Sequence, residues 1–311
     1  MSEGLFDQPG ACRFVVVAPT YNNAASLCAV LSQILALRLP LIVVNDGSTD
    51  GTANTLQEMS GDCEVLTHAI NRGKAAAMRS GFDHSQQRGF THVITIDTDG
   101  QHDVADVPRL IEAARAHPNA LILGARDMWA ADYPRASRVG RMWSNRFVYL
   151  ESGVRLSDSQ CGLRVYPISV LQLHARSTRY GFETEILTRC GWANIPVVET
   201  PIRCIYNLPG ERVSHFRPWK DTAVGMCMHL RLLGRSFWPI PPRRTHAADD
   251  ATTTGTIFER MLRWFNPMRA WRTIRHDPRE RRRFALAVSI GVLIANLPLY
   301  GLQTLLSLLA A

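Results

Sequence analysis

The sequence predicts an α/β fold in which a mostly parallel sheet is flanked by helices. Continuous apolar runs of strand length, rich in β-branched residues, recur through the first half of the chain, and segments of helical length separate them. The predicted strands are 14–18, 41–44, 64–67, 94–96 and 120–124. Sheets of this kind bind ligands at the carboxyl ends of their strands, so functional residues are expected in the segments that follow.

The segments between and after these strands carry helix signals. Asn71 to Lys74 lead into a helix that runs to about residue 88, and Asp106 followed by Pro108 marks the capped start of another. Further helices are predicted at 24–37, from Ser137, from Gly181 and at 218–233. The loop after the first strand lacks G-x-G-x-x-G, which disfavours the dinucleotide-binding version of such a fold.

Composition places the chain among globular proteins, with 46% hydrophobic and 20% charged residues. The 7 cysteines are scattered and form no C-x-x-C pair, which indicates neither a disulfide framework nor a zinc site. A reducing cytoplasm is therefore expected. The polar, acidic start of the chain shows no signal-peptide pattern.

The net charge of +8 lies in the last third of the chain, because residues 1–202 contain slightly more acidic than basic side chains. A basic segment attracts nucleic acid or an acidic membrane face. The basic run 279–283 precedes 284–311, which has no charged side chain, and about 20 apolar residues suffice to cross a bilayer. Because Pro298 interrupts this segment, three arrangements stay open: a kinked membrane span, a re-entrant hairpin and a buried soluble hairpin. Contact with a membrane is favoured over contact with nucleic acid.

Acidic residues follow the fourth predicted strand. Asp97 and Asp99, two positions apart, can turn toward one hard cation, and Gln101 or His102 can add a ligand. Oxygen-rich sets of this kind suit Mg²⁺ or Mn²⁺. A solvated turn is the alternative for an isolated Asp-x-Asp pair, so the interpretation depends on a nucleotide site around it.

Two further residues fit such a site. Asp46 follows the second strand, where a carboxylate can accept hydrogen bonds from a base or a ribose. Lys74 stands at a predicted helix start, where it can meet a phosphate or simply remain in solvent.

The motifs VAPTYN (17–22), VNDGSTDG (44–51), NRGK (71–74) and DTDGQ (97–101) follow one another as in family 2 glycosyltransferases of the GT-A fold. The chain most resembles the polyprenyl-phosphate and dolichyl-phosphate sugar transferases, over residues 13–235. The resemblance implies inverting, cation-dependent transfer of a sugar from a nucleoside diphosphate donor. It places Pro19, Tyr21, Asp46, Lys74 and Asp97 at the donor, and Asp97, Asp99 and Gln101 on a Mg²⁺ or Mn²⁺ ion. Because such an ion stabilises the departing nucleoside diphosphate, Asp97 and Asp99 are expected to be essential for turnover, and Asp99 is a catalytic candidate.

The resemblance also assigns an acceptor site. An arginine after the fifth strand and basic residues soon after it receive the acceptor phosphate in the family, which implies Arg126 and Arg141 here. Guanidinium groups match phosphate geometry. Arg138 and Arg146 lie on the same predicted helix, where a solvated basic face is an equal alternative. The segment 158–164 resembles the family's Asp-x-x-x-Gly-Phe-Arg motif, with Leu163 in place of the aromatic residue.

The acceptor can be a hydroxyl or a phosphate. A hydroxyl needs a base, and Glu183 and Glu185 are the candidates, although acids in the first turn of a helix also have a structural role. A lipid phosphate needs no base, because its second pKa is about 6. The resembling family often closes its site with a mobile loop at this point of the chain. The resemblance therefore makes Arg212 and His215, which lie in a Gly- and Pro-containing loop, candidate diphosphate contacts.

The expected organisation is a tail at 1–12, the GT-A domain at 13–236, a linker at 237–257 and a basic, then apolar membrane-associated helical segment at 258–311. The last segment resembles the beginning of a small bacterial membrane-associated family that continues further, so this chain is expected to be truncated there.

Three hypotheses follow. The first is transfer of a sugar to a polyprenyl phosphate at the cytoplasmic face of a bacterial inner membrane. The second is transfer to a hydroxyl of a glycolipid or polysaccharide. The third is a catalytically silent protein that binds nucleotides or nucleic acid.

Overall fold

The computed structural model describes residues 12–59, 61–130, 133, 135–178, 181–205 and 218–236. Apart from Cys12, the predicted tail, the linker and the C-terminal segment lie outside these residues. No helix in the described part of the chain combines the length and the hydropathy that a membrane crossing requires.

Seven strands of the described residues form one sheet, in the order β3-β2-β1-β4-β6-β5-β7. Strand β6 is antiparallel to both neighbours, and every other pair is parallel. The predicted mostly parallel sheet is therefore confirmed, with β6 and β7 as additional strands. The strands are β1 Phe14–Thr20, β2 Leu41–Asn45, β3 Glu64–Thr67, β4 His92–Thr95, β5 Leu121–Arg126, β6 Arg164–Pro167 and β7 Val197–Ile202.

Helices connect and cover these strands. They are α1 Ala24–Ala36, α2 Thr52–Glu58, α3 Lys74–Gln87, α4 Val107–Ala116, α5 Arg135–Ser152, α6 Ile168–Leu171, α7 Gly181–Trp192 and α8 Pro218–Ser236. Proline stands in the first turn of α4 as predicted. Asp106 makes no side-chain cap hydrogen bond there, because its carboxylate accepts from the Arg203 backbone N–H at 2.6 Å.

The core lies along β1 and β2, whose apolar residues are buried from Phe14 to Ala18 and from Leu41 to Val44. Helix α3 packs closely on these strands, because a Cβ at Gly81 would collide with a methyl group of Val17. This close approach brings the middle of α3 against the sheet, which requires a residue without a Cβ at position 81.

The carboxyl ends of β1, β2 and β4 meet at one edge of the sheet. Thr20 is paired with Asn45, and Val17 is paired with Thr95. The segments that follow these strands, which contain Tyr21, Asp46 and Asp97, therefore emerge on the same side. This is the edge at which parallel sheets bind ligands.

Candidate active site

Asp97 and Lys74 form the centre of this edge. The Lys74 Nζ lies 2.7 Å from Asp97 Oδ1 and 3.0 Å from Glu183 Oε2. Burial by itself lowers the pKa of Lys74, but the charges of Asp97 and Glu183 outweigh it and raise that pKa above its ordinary value. One ammonium group therefore links the ends of α3, β4 and α7.

Burial raises the pKa of Asp97, but the charge of Lys74 outweighs this effect and holds the pKa below its ordinary value. Gly162 lies next to the same carboxylate, because a Cβ added at this glycine would overlap Asp97 Oδ2. The Asp97 side chain is nevertheless 30% exposed. It is therefore ionised and accessible from the edge of the sheet.

The expected cation ligands lie in the turn after β4. The Asp99 Oδ1 accepts the Gln101 backbone N–H at 3.0 Å, which folds this turn on itself. His102 lies with its Nε2 4.0 Å from Asp97 Oδ2, and burial lowers its pKa to about 4, so its imidazole is neutral at pH 7.

The described residues contain no group of three or more His, Cys, Asp or Glu side chains arranged to hold a metal ion. The predicted set differs in composition, because it combines two carboxylates with the amide of Gln101. Two carboxylates and an amide oxygen remain a donor set that fits Mg²⁺ or Mn²⁺. Binding of the ion by Asp97, Asp99 and Gln101 stays a prediction.

Asp46 is 2% exposed and faces the protein. Its carboxylate accepts the backbone N–H groups of Arg72 at 2.9 Å and Gly73 at 2.7 Å, and it lies 2.6 Å from His68 Nδ1. The observed role of Asp46 is therefore to hold the loop that leads into α3 and Lys74. Its direct contact with a nucleoside stays a prediction, as do those of Pro19, at the end of β1, and Tyr21, just after it.

The two glutamates of α7 have different surroundings. Glu183 pairs with Lys74, and its second oxygen, Oε1, is buried without a hydrogen-bond partner among the described residues. Glu185 is fully buried and accepts the backbone N–H groups of Arg176 and Ser177 and the Ser177 hydroxyl. Arg189 and Arg231 also bind it, each at 2.6 Å. These contacts favour the structural alternative for Glu185 and leave Glu183 as the candidate base.

Arg126 and Arg141, the expected acceptor residues, meet at Asp158. Arg126 forms a two-point contact with this carboxylate, Nε to Oδ2 at 2.7 Å and Nη2 to Oδ1 at 3.1 Å. The Arg141 Nε lies 3.1 Å from Oδ1. Asp158 is 0% exposed and Arg141 is 3% exposed. Although burial lowers the pKa of Arg126, Asp158 outweighs this effect and raises it above its ordinary value.

Arg138 extends this cluster along α5. The guanidinium carbon of Arg141 lies 4.6 Å from the centre of the Tyr133 ring, and that of Arg138 lies 5.9 Å from it. The Arg141 Nη1 and the Arg138 Nε are buried and have no hydrogen-bond partner within the described ranges. Buried donors of this kind normally bind a partner, so the cluster has the character of an anion site.

Sequence reasoning found the charged residues of this edge but missed how they pair. The positions of Asp158 and Glu183 opposite cations come from long-range packing, and only the family motif at 158–164 pointed to the first of them. Arg212 and His215 lie outside the described residues.

A family model for glycosyl transferase family 2 matches residues 15–171. The chain therefore belongs to glycosyl transferase family 2, which confirms the resemblance drawn from its motifs, and it is a glycosyltransferase. The hypothesis of a catalytically silent binding protein is set aside for this reason.

Two relatives and one solved structure illustrate the similarity. An undecaprenyl-phosphate mannosyltransferase from Micrococcus luteus is 28% identical over 211 residues, covering 64% of this chain and 86% of the relative. A polyprenol monophosphomannose synthase from Mycolicibacterium smegmatis is 29% identical over 203 residues, covering 61% and 76%. Glucosyl-3-phosphoglycerate synthase from Mycobacterium tuberculosis, in complex with Mn²⁺ and UDP-glucose, shares the fold with a TM-score of 0.55, 20% identity and coverage of 74% and 80%.

Proposed function

We propose that this glycosyltransferase moves a sugar from a nucleoside diphosphate sugar to a polyprenyl phosphate, with Mg²⁺ or Mn²⁺, at the cytoplasmic face of a bacterial inner membrane. The two relatives named above act on undecaprenyl phosphate and form polyprenol monophosphomannose, which supports the acceptor class. The synthase of the same fold was crystallised with Mn²⁺ and UDP-glucose, which agrees with the donor class and the cation.

The observation that carries this proposal is the position of the arginine cluster beside Asp97. Arg126 and Arg141 bind Asp158, and the loop that contains Asp158 continues to Gly162. Gly162 lies so close to Asp97 that a Cβ there would overlap the carboxylate, so one short loop joins the arginine cluster to Asp97. An acceptor phosphate held by Arg126 and Arg141 would therefore lie next to the donor diphosphate.

The chemistry requires little more than this placement. An oxygen of the lipid phosphate forms a bond to the anomeric carbon while the bond from that carbon to the donor diphosphate breaks, and the electron pair leaves with the diphosphate. Attack from the opposite face gives inversion. No base is needed, because the phosphate is already an anion near neutral pH. A divalent ion held by Asp97, Asp99 and Gln101 would stabilise the negative charge of the departing diphosphate.

Helix α5 supports a location at the membrane. Its face opposite the buried Arg141 exposes Val139, Met142 and Trp143, which are spaced to share one side of the helix. Arg146 is exposed on the same helix. Exposed apolar and basic side chains together are typical of helices that lie on an acidic lipid surface.

The second candidate is transfer to a hydroxyl, with Glu183 as the base. The unpartnered Oε1 of Glu183 favours it, because a general base needs a free oxygen. Glu183→Gln separates the two candidates. A phosphate acceptor predicts that turnover persists in this variant, whereas a hydroxyl acceptor predicts a loss of about 100-fold or more.

The direct test is incubation of the purified chain with labelled nucleotide sugars, Mn²⁺ and bacterial membrane lipid. The proposal predicts a labelled lipid that releases its sugar in mild acid, because a glycosyl phosphate is acid-labile. A labelled lipid that resists mild acid would instead identify a hydroxyl acceptor.

A further inference from the structure

The carboxylate of Asp158 lies inside a cluster of cations at the proposed acceptor site. Arg126 and Arg141 contact it directly, and Arg138 lies one helical turn before Arg141. Resting on the proposed function, we infer that Asp158 is a specificity-determining residue: it limits the positive charge of this site, so that the site prefers a lipid monophosphate to a lipid diphosphate.

Asp158 is held rigidly in this position. The backbone N–H of Asp158 donates to Glu199 Oε1 at 3.1 Å, and the Ser157 N–H donates to the same oxygen at 2.8 Å. Asn145 of α5 binds both sides of the loop, donating to the Ser157 carbonyl at 2.7 Å and accepting the Ser159 N–H at 2.9 Å. The carboxylate is therefore fixed with respect to β5, β7 and α5.

The neighbouring groups leave the site cationic. Burial raises the pKa of Cys161 to about 12, so its thiol is neutral at pH 7. Asp127 is exposed and accepts the Trp129 N–H, and Glu199 contacts the backbone of the loop rather than the guanidinium groups. Asp97 is paired with Lys74 at the proposed donor site, and the guanidinium of Arg164 donates to backbone carbonyl groups. The charge around Asp158 itself therefore comes from three arginines and one carboxylate.

The resulting excess of two positive charges matches a phosphate monoester, which carries a charge of about −1.5 to −2 at pH 7. A lipid diphosphate carries a further ionised oxygen. Asp158 already neutralises one of the three positive charges, so no cation remains to pair with the additional negative charge of a diphosphate. The buried Asp158 carboxylate, which water does not screen, also repels that charge. The free donors on Arg141 and Arg138 suffice for one phosphate group.

The test is a ratio of two specificity constants. Transfer from the nucleotide sugar is measured with farnesyl phosphate and with farnesyl diphosphate, which have the same lipid chain. Asp158→Asn removes the charge at nearly constant shape. It is expected to lower the monophosphate-to-diphosphate ratio of kcat/KM by about tenfold or more, even if both constants fall because Arg126 loses its partner.

Three variants control the result. Asp158→Glu keeps the charge and is expected to retain the wild-type ratio. Glu199→Gln makes the same acid-to-amide change on β7, at a carboxylate that binds the backbone of this loop, and its ratio is also expected to stay unchanged. Arg138→Gln lowers the positive charge of the site, so the monophosphate-to-diphosphate ratio of kcat/KM should increase. If Asp158→Asn does not fold, this variant tests whether the charge of the cluster sets that ratio.

The outcomes are distinct. Equal losses with both lipids in Asp158→Asn, or an unchanged ratio in Arg138→Gln, would show that Asp158 only supports the structure and would overturn the inference alone. A different result would overturn both the proposed function and the inference: the wild-type enzyme transfers sugar to neither farnesyl phosphate nor farnesyl diphosphate but does transfer it to a lipid with a free hydroxyl group.

Discussion

Replacing Glu185 by glutamine tests whether this residue supports the structure or the chemistry. The carboxylate accepts hydrogen bonds from two backbone N–H groups, from Ser177, and from Arg189 and Arg231. The amide of glutamine turns an NH₂ group toward donors on one side. We therefore expect a less stable protein whose folded molecules remain active.

The expected loss is moderate. A hydrogen bond to a charged group contributes about 1.5–3 kcal/mol. The Arg189 side chain is 22% exposed and that of Arg231 is 43% exposed, so water replaces part of what they lose. The variant should lose about 2–3 kcal/mol of unfolding free energy, which lowers Tm by about 5–10 °C for a domain of this size.

The loss should depend on pH in a defined direction. Burial raises the pKa of Glu185, but its hydrogen bonds from Ser177 and Arg189 outweigh this effect and hold the pKa below the ordinary value of 4.5. The stabilisation by this carboxylate is therefore fully present above pH 4.5 and is lost as the pH falls through the lowered folded-state pKa. The difference between wild type and variant should shrink in the same window.

Chemical denaturation from pH 3 to pH 8 measures this difference, and turnover per folded molecule is followed in parallel. Glu112→Gln, on the exposed side of α4, is the matched control and should leave both quantities unchanged. Wild-type stability combined with a turnover loss of 100-fold or more in Glu185→Gln would exclude a purely structural role and return Glu185 to the catalytic candidates.

Three further predictions concern the site and the membrane. Asp99→Ala should lower turnover by about 100-fold or more and weaken Mn²⁺-dependent binding of a nucleoside diphosphate in calorimetry; unchanged binding would remove its role as a cation ligand. Arg126→Lys keeps the charge but loses the two-point contact, so KM for the lipid phosphate should rise by about tenfold while KM for the nucleotide sugar stays constant; an equal rise in both would argue against an acceptor role. Trp143→Glu should reduce sedimentation with phosphatidylglycerol vesicles without lowering Tm, and full retention on vesicles would exclude this face of α5 from lipid contact.

Strands β1 to β5 were predictable because each is marked by a short, mostly apolar run of consecutive residues, and turn or polar residues follow it. Strand β6 was not predicted, and Arg164 explains why. This arginine is completely buried, and its guanidinium donates to the carbonyl groups of Cys161, Glu183 and Ser159. A hydropathy pattern treats a charged residue as exposed, so it cannot recognise a strand whose buried charge is satisfied by distant backbone atoms.

The sequence predicted which charged residues lie at the site but not which of them form ion pairs with each other. Motif order brought Asp97, Lys74 and Arg126 into one hypothesis, because each follows or precedes an element of the predicted sheet. The partner of each cation lies far away in sequence: Glu183 for Lys74, and Asp158 for Arg126. Such pairs depend on how α7 and the loop before β6 pack, and no local pattern encodes this packing.

Transfer of the sugar to a phosphate held next to the donor diphosphate can be observed at the phosphorus atom itself. The measurement is phosphorus NMR of the lipid product, with farnesyl phosphate as the acceptor. If the phosphate is the acceptor, the phosphomonoester signal of the lipid is replaced by a phosphodiester signal as sugar is transferred. Sugar transfer to added glycolipid with the phosphomonoester signal unchanged would contradict it.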